Sequence, residues 1–314
     1  MKIIRYSSEF KEDWDNHIKS SKNGLFLYNR DYIEYHSDKF TDFSLLIYNE
    51  KNKIICALPA NINDGCVYSH AGLTFGGLVY TNEITVKDII DVFYSLIEFF
   101  RINVVNKFIY KPVPYIYSSN PAQEDLYALF LINAELFRRD VSVTIDLEKD
   151  VRYGSQRKRN IKKGTKKPVF VEQISDVTDY WNLLNEVLSL QHETKSVHTE
   201  TEIKYLMSKF PENIKLFVGK DVEGKILAGT LVFEYQDIVH TQYLANSSDG
   251  KKCGALDVVL DHLIKEKYKT KKFFDFGISN EDNGRYLNNG LISQKEGFGA
   301  RAVVHDQYKV LIND

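Results

Sequence analysis

Cysteine is scarce in this 314-residue chain, which carries only Cys56, Cys66 and Cys253. None stands in a CxxC pair. An odd, scattered set argues against a disulfide framework and is expected of a reducing, cytoplasmic compartment. Net charge is also slight, at -2, so no global field attracts nucleic acid or a membrane, and any anion site must be local. No run of about 18 apolar residues is present, so no integral membrane segment is expected. The most apolar helix candidate, Ile89 to Phe100, is interrupted by Asp91, Ser95 and Glu98. Met1 to Tyr6 has no apolar signal stretch. Also missing are GxSxG, HExxH and a GxGxxGK loop, so the common nucleophile, zinc and phosphate-loop signatures are absent. His192 and His198 are not spaced as ligands on one helix face, and no metal is expected.

What is there suffices for a large core. Hydrophobic residues make up 43% of a chain long enough for two domains. Tyr and Phe number 20 and 19. Tyrosine can fill a core or line a polar cleft, because its ring packs while its hydroxyl bonds. Phe10, Trp14 and Ile18 predict a helix over 8–20, and further helices are expected over 30–37 and 122–134. Phe43–Tyr48 and Ile54–Ala60 flank a polar turn and read as a hairpin. Strands are expected near 66–71, 76–80, 107–110 and 141–147. Thr85 with Asp88 resembles a capping box ahead of a helix whose apolar face is Ile89, Phe93, Leu96, Ile97 and Phe100.

The second half repeats this order. Strands are predicted at 216–218, 226–233 and 239–244, a helix from Ala255, a strand at 273–276, a helix near 284–295 and a strand near 301–311. The offset is roughly 160–170 residues, far beyond solenoid periods, and implies duplication of one domain rather than a repeat array. The segment from Arg152 to Lys167 is the most basic in the chain. A boundary just before it gives domains 1–150 and 151–314. That segment is either a solvated helix face or a contact for a polyanionic substrate.

Asp249-Gly250-Lys251-Lys252-Cys253-Gly254-Ala255 lies between a strand and an amphipathic helix. Glycines permit a tight turn, and a helix N-terminus offers free amides and partial positive charge, which together suit a phosphate. A plain strand-to-helix turn is the competing reading. Asp275 alternates with Phe274 and Phe276, so it faces away from them. It would sit near the strand's C-terminal end, where open α/β sheets bind ligands, or else in a salt bridge. His70 lies between a strand and the glycine-rich run Ser69 to Gly77. His198 ends a polar stretch that includes Lys195, and Glu281 sits in the turn Ser279 to Asn283. Each of these could be a base, and each could be structural: a bonded histidine, a solvated loop, a helix cap.

These segments, with Leu287-Asn288-Asn289-Gly290-Leu291 and Gln294-Lys295-Glu296-Gly297-Phe298-Gly299, resemble Fem-like N-acyltransferases of the GNAT superfamily over nearly the whole chain. The resemblance implies an α/β fold with an α+β mixed sheet, built as tandem duplicated GNAT-like domains. It implies a donor diphosphate at Gly250, Lys251, Lys252, Gly254 and Ala255. It also implies that strand 241–246, with Gln242 and Tyr243, splays from its neighbour to receive the donor. His70, His198, Asp275 and Glu281 are then the candidate bases. Thr74, Lys195, Asn280 and Lys295 are the candidate acceptor contacts, His70 and Thr74 forming a wall from the first half. In GNAT proteins a tyrosine often protonates the departing thiolate; Ser293 stands in its place here. The activity implied is acyl transfer, acetyl from acetyl-CoA as co-substrate, to a nucleotide-linked or lipid-linked amino sugar in surface polysaccharide synthesis. Two alternatives stay open: aminoacyl transfer from tRNA to a peptidoglycan precursor, and a non-catalytic binding protein on the same fold.

Overall fold

A computed structural model of the chain describes residues 1–192 and 196–312. Two compact units divide at Asp140/Val141, earlier than the boundary expected at 150. The division is not a single cut. Asp282–Arg285 and the chain from Val304 onward belong to the first unit, while Tyr286–Val303 belongs to the second. Composition marks the basic segment at 152, but a boundary is set by which strands pair, and pairing leaves no local trace in sequence.

In the first unit, Leu45–Tyr48 (β1) and Ile54–Leu58 (β2) form the expected hairpin. Lys2–Arg5 and Val79–Tyr80 extend it into four antiparallel strands. Helix α1 (Val86–Ile102) begins at the capping box read from sequence. The Asp88 amide donates to Thr85 Oγ1 at 3.2 Å, and the Thr85 amide to Asp88 Oδ2 at 2.9 Å. Its face of Ile89, Phe93, Leu96 and Phe100 enters the first core with Leu45, Leu58 and Phe108. Strand β3 (Lys107–Tyr110) follows and runs parallel to Cys66–Tyr68.

The second unit takes in the end of β4 (Glu135–Asp146). The basic segment is helix α2 (Ser155–Lys166). Strand β5 (Phe170–Ile174) has no apolar periodicity and was not legible in the sequence. Helix α3 (Thr178–His192) precedes three antiparallel strands, β6 (Ile214–Lys220), β7 (Ile226–Glu234) and β8 (Ile238–Asn246). Helices α4 (Ser248–Cys253) and α5 (Ala255–His262) lead to β9 (Phe273–Ile278), which runs parallel to β8 and antiparallel to β4. The helix expected over 284–295 starts later: a short hairpin, Asn280–Glu281 with Tyr286–Leu287, comes first, then α6 (Asn289–Glu296). The last strand is β10 (Arg301–Leu311), whose C-terminal end pairs antiparallel with β3. Each unit therefore holds an antiparallel hairpin, a helix and a parallel strand pair, the order read as a duplication.

Candidate active site

The second unit contains an opened sheet. Parallel strands β8 and β9 pair only over Ile238–His240 against Phe273–Asp275. Strand β8 then continues to Asn246 without β9 beside it, as expected for 241–246. On its other side β8 stays bonded to β7, but the register slips: Val232 faces Thr241 while Leu231 faces Tyr243. Gln242 is thus an extra residue, a β-bulge. The bulge changes the alternation. His240 faces Phe233 and Tyr243 faces Leu231, so both lie on one side of the sheet although three residues apart. That side is covered by α3. The Tyr180 hydroxyl donates to the Tyr243 carbonyl at 3.0 Å, and the Trp181 and Tyr243 rings meet edge-on at 5.3 Å.

At the fork stands a histidine–carboxylate pair. His240 Nδ1 lies 2.7 Å from Asp275 Oδ2. The hydroxyls of Ser142 and Thr144 donate to Asp275 Oδ1 at 2.6 and 2.7 Å. Asp275 is wholly buried. Phe274 and Phe276 enter the second core, so Asp275 faces away from it, as alternation requires. Expected as a base near an open strand end, Asp275 instead has both oxygens engaged by its own sheet, and it serves His240. No local sequence pattern singles out His240. A histidine on an apolar strand is unremarkable until the strand across from it supplies an acid. Gly277 follows at φ +74°, and a Cβ there would lie 3.0 Å from His240 Cε1, so only glycine lets the backbone lie against the imidazole.

Along the freed strand, His198 Nδ1 lies 2.6 Å from the Tyr243 hydroxyl, which also accepts the His198 amide at 3.3 Å. His198 is buried. Beside the end of β8, a cleft of about 370 Å³ is lined by Arg157, Val187, Leu188, Leu244, Asn246 and Lys251, among others. Arg157 is held by Asp257 at 2.8 Å. Burial pushes the Asp257 carboxyl up, against the opposing pull of Arg157.

The glycine corner differs from expectation. Ser247 Oγ caps α4 by accepting the Gly250 amide at 2.9 Å, the Lys251 amide donates to the Ser247 carbonyl, and the Gly254 amide to the Gly250 carbonyl. Those three amides are spent within the chain and are not open to a donor. A Cβ at Gly250 would strike the Leu227 carbonyl, and one at Gly254, φ +80°, the Asn160 carbonyl. Packing therefore accounts for both glycines, and Ala255 is buried in the second core. Lys252 pairs with Asp249 at 3.0 Å, which leaves Lys251 as the lysine of this turn that lines the cleft.

The remaining candidates scatter. Lys295 is buried, and its ammonium donates to the carbonyls of Gly277 (2.9 Å) and Ile278 (2.7 Å) and to Ser279 Oγ (3.0 Å). Burial lowers it to about 8, against the pull of Asp275. It fastens the end of β9, with its three donors used inside the chain, and is not placed to grip an acceptor. Asn280 Oδ1 accepts the Val141 amide, and Glu281 is exposed and accepts from Asn288. Lys195 lies outside the described residues. His70 and Thr74 are in the first unit. Thr74 is exposed; His70 is buried at φ +58°, stacked on His36 with centroids 5.2 Å apart. Burial, with His36 and Lys111 nearby, lowers its imidazole to about 3.

No family model matches the sequence, and no curated protein matches it. Solved structures do. The crystal structure called FemX superposes with TM-score 0.69 at 10% identity, over 99% of this chain and 97% of that one. The fold is that of the Fem-type and tandem GNAT proteins. The C-terminal domain (DUF2156) of a putative lysylphosphatidylglycerol synthetase from Agrobacterium fabrum gives 0.62 at 13% identity, covering 98% and 93%. A tandem GNAT protein from the clavulanic acid biosynthesis pathway gives 0.53 at 10% identity, covering 100% and 99%. Duplicated GNAT-like units in a mixed α/β architecture are thereby established. Among the described residues, no helix is long and apolar enough to cross a membrane.

Proposed function

We propose that this chain is an N-acyltransferase whose second unit binds the acyl donor along the freed edge of β8 and passes its acyl group to an amine. The observation that carries the reading is the parting of β8 from β9 after His240. Unpaired strand groups can bond an extended donor chain as a neighbouring strand would. The cleft at the end of β8 adds apolar walls at Val187, Leu188 and Leu244, with Arg157 and Lys251 as cations for a donor's phosphates. Amide formation needs no covalent enzyme intermediate. It requires a neutral amine, a held carbonyl and donors for the oxyanion. The donor we favour is acetyl-CoA and the acceptor an amino sugar, nucleotide-linked or lipid-linked, in the cytoplasm. Lys251, with Gln242 and Tyr243 on the freed strand, would contact the donor. His198 would contact it through Tyr243.

A second reading, aminoacyl transfer from tRNA, is supported by the closer superposition on FemX than on the tandem GNAT protein, 0.69 against 0.53. The exposed basic face of α2 suits a polyanion. Calorimetry with acetyl-CoA and with charged tRNA separates the two. A mass-spectrometric screen of acyl-CoAs against amino sugar nucleotides then reads the product. Absence of heat with either donor at millimolar acyl-CoA and micromolar tRNA would remove acyl transfer from consideration.

A further inference from the structure

We propose that His240, oriented by Asp275, is the base that takes the proton from the attacking amine. The inference rests on the acyl-transfer reading and adds the reacting group, which none of the expected candidates supplies. Three observations converge on it. His240 is the last residue of β8 to pair with β9, so it marks the point where the sheet opens. The bulge at Gln242 puts it on the same side of the sheet as Tyr243, whose hydroxyl meets His198. And the sheet surrounds Asp275 with two hydroxyls, Ser142 and Thr144, that donate to one oxygen while the other faces His240 Nδ1.

The third observation fixes the chemistry. A carboxylate withdrawn from water must have its lone pairs bonded. Here both oxygens are engaged, as a buried carboxylate requires. A carboxylate can only accept, so Nδ1 carries the hydrogen and Nε2 carries the lone pair. Gly277 holds its backbone against the ring, and Lys295 fastens that backbone through the Gly277 and Ile278 carbonyls. The imidazole is thus fixed in tautomer and orientation, as a general base must be. Asp275 is the positioning residue.

The step balances as follows. The amine nitrogen gives its lone pair to the acyl carbon, forming the C–N bond, and its proton moves to Nε2. The bond from acyl carbon to donor sulfur, or to ester oxygen, breaks with its electron pair on the leaving atom. The imidazolium returns the proton to that atom. Amine and acyl donor become amide and thiol or alcohol, and His240 ends neutral. No separate tyrosine acid is needed, which fits Ser293 at the position where GNAT proteins often carry one.

The test uses the full chain, acetyl-CoA and a UDP-linked amino sugar. His240→Ala is expected to lower kcat by roughly 10²–10⁴-fold, with acetyl-CoA affinity within about twofold, and added imidazole should restore part of the rate. His240→Gln serves if the alanine variant does not fold. Asp275→Asn should lower kcat while keeping KM. Folded His240 variants that turn over at the wild-type rate would overturn the proposal and leave acyl transfer standing. A wild-type chain that binds acetyl-CoA but acylates no amine would overturn both. Independently of any variant, nitrogen-15 spectra of the histidine-labelled wild type should show the neutral His240 ring carrying its hydrogen on Nδ1; a hydrogen on Nε2 instead would end the assignment.

Discussion

Each unit holds a histidine, buried His70 in the first and part-buried His240 in the second, and the two sit in opposite surroundings. His70 in the first unit is 2% exposed, with no partner for Nδ1 among the described residues. The titratable groups that bear on it are mostly basic, His36, Lys111 and Arg30, with Asp42 as the acid among them. His240 in the second unit faces a buried carboxylate that is itself held by two hydroxyls. Sequence makes the two histidines look alike, and if anything favours His70, which precedes a glycine-rich run. What separates them is the atom opposite Nδ1. Without an acceptor there, burial drives the ring to the neutral form and keeps it so. With one, the ring is held in a single orientation, its Nδ1 turned to the acid.

The comparison breaks most severely at Asp275. Asp275→Ala should leave His240, Ser142 and Thr144 without their acceptor and cost about 3–5 kcal/mol, read from urea unfolding. Loss of only a few tenths would mean that the network is loosely held.

His70→Asn sharpens the contrast from the other side. Because the folded value lies below the unfolded one, the His70 contribution is complete above about 6.5 and is lost as pH falls toward about 3. Asn tolerates the positive φ and does not titrate. Against wild type, the variant should gain about 2–3 kcal/mol between pH 7 and pH 4.5, by the same unfolding measurement. Asp125, also in the first unit, is raised to about 6 by burial, so its contribution is complete below about 3.8 and lost as pH rises through about 6. It works in both proteins and cancels in the difference. Equal acid limbs for the two proteins would show that His70 is not buried as described.

Smaller effects test the supports. Thr144→Val removes one hydroxyl from Asp275 and should cost about 1 kcal/mol, with a modest fall in kcat. Tyr243→Phe removes the group that meets His198, for about 1 kcal/mol, and is expected to raise KM more than it lowers kcat. A fall confined to kcat would instead assign Tyr243 to the reacting atoms.

Much of this molecule could be read before folding. The hairpin at 45–58, the capping box at Thr85, the helix after Gly254 and the outward side of Asp275 all rest on local patterns, alternation or spacing within one element. The parting of β8 at 241–246 was read from resemblance. What escaped was non-local. The pairing of His240 with Asp275 depends on two parallel strands separated by helices α4 and α5, and no spacing encodes that register. The bulge at Gln242 leaves no composition signal. Sequence reads the glycines at 250 and 254 as a tight turn open to a phosphate, whereas their close neighbours are the carbonyls of Leu227 and Asn160. The strand at Phe170–Ile174 is mostly exposed and has no apolar rhythm to find.

The bulge sets a rule of parity for anyone who edits this strand. Deleting Gln242 alone would restore simple odd–even order beyond it. Tyr243 would then stand two residues from His240, still opposite Leu231 and on the same side, and would keep its seat against Trp181 and His198. Loss of this one residue is therefore expected to be tolerated where loss of a residue farther along β8 is not, a contrast that substitution at any single position would never expose.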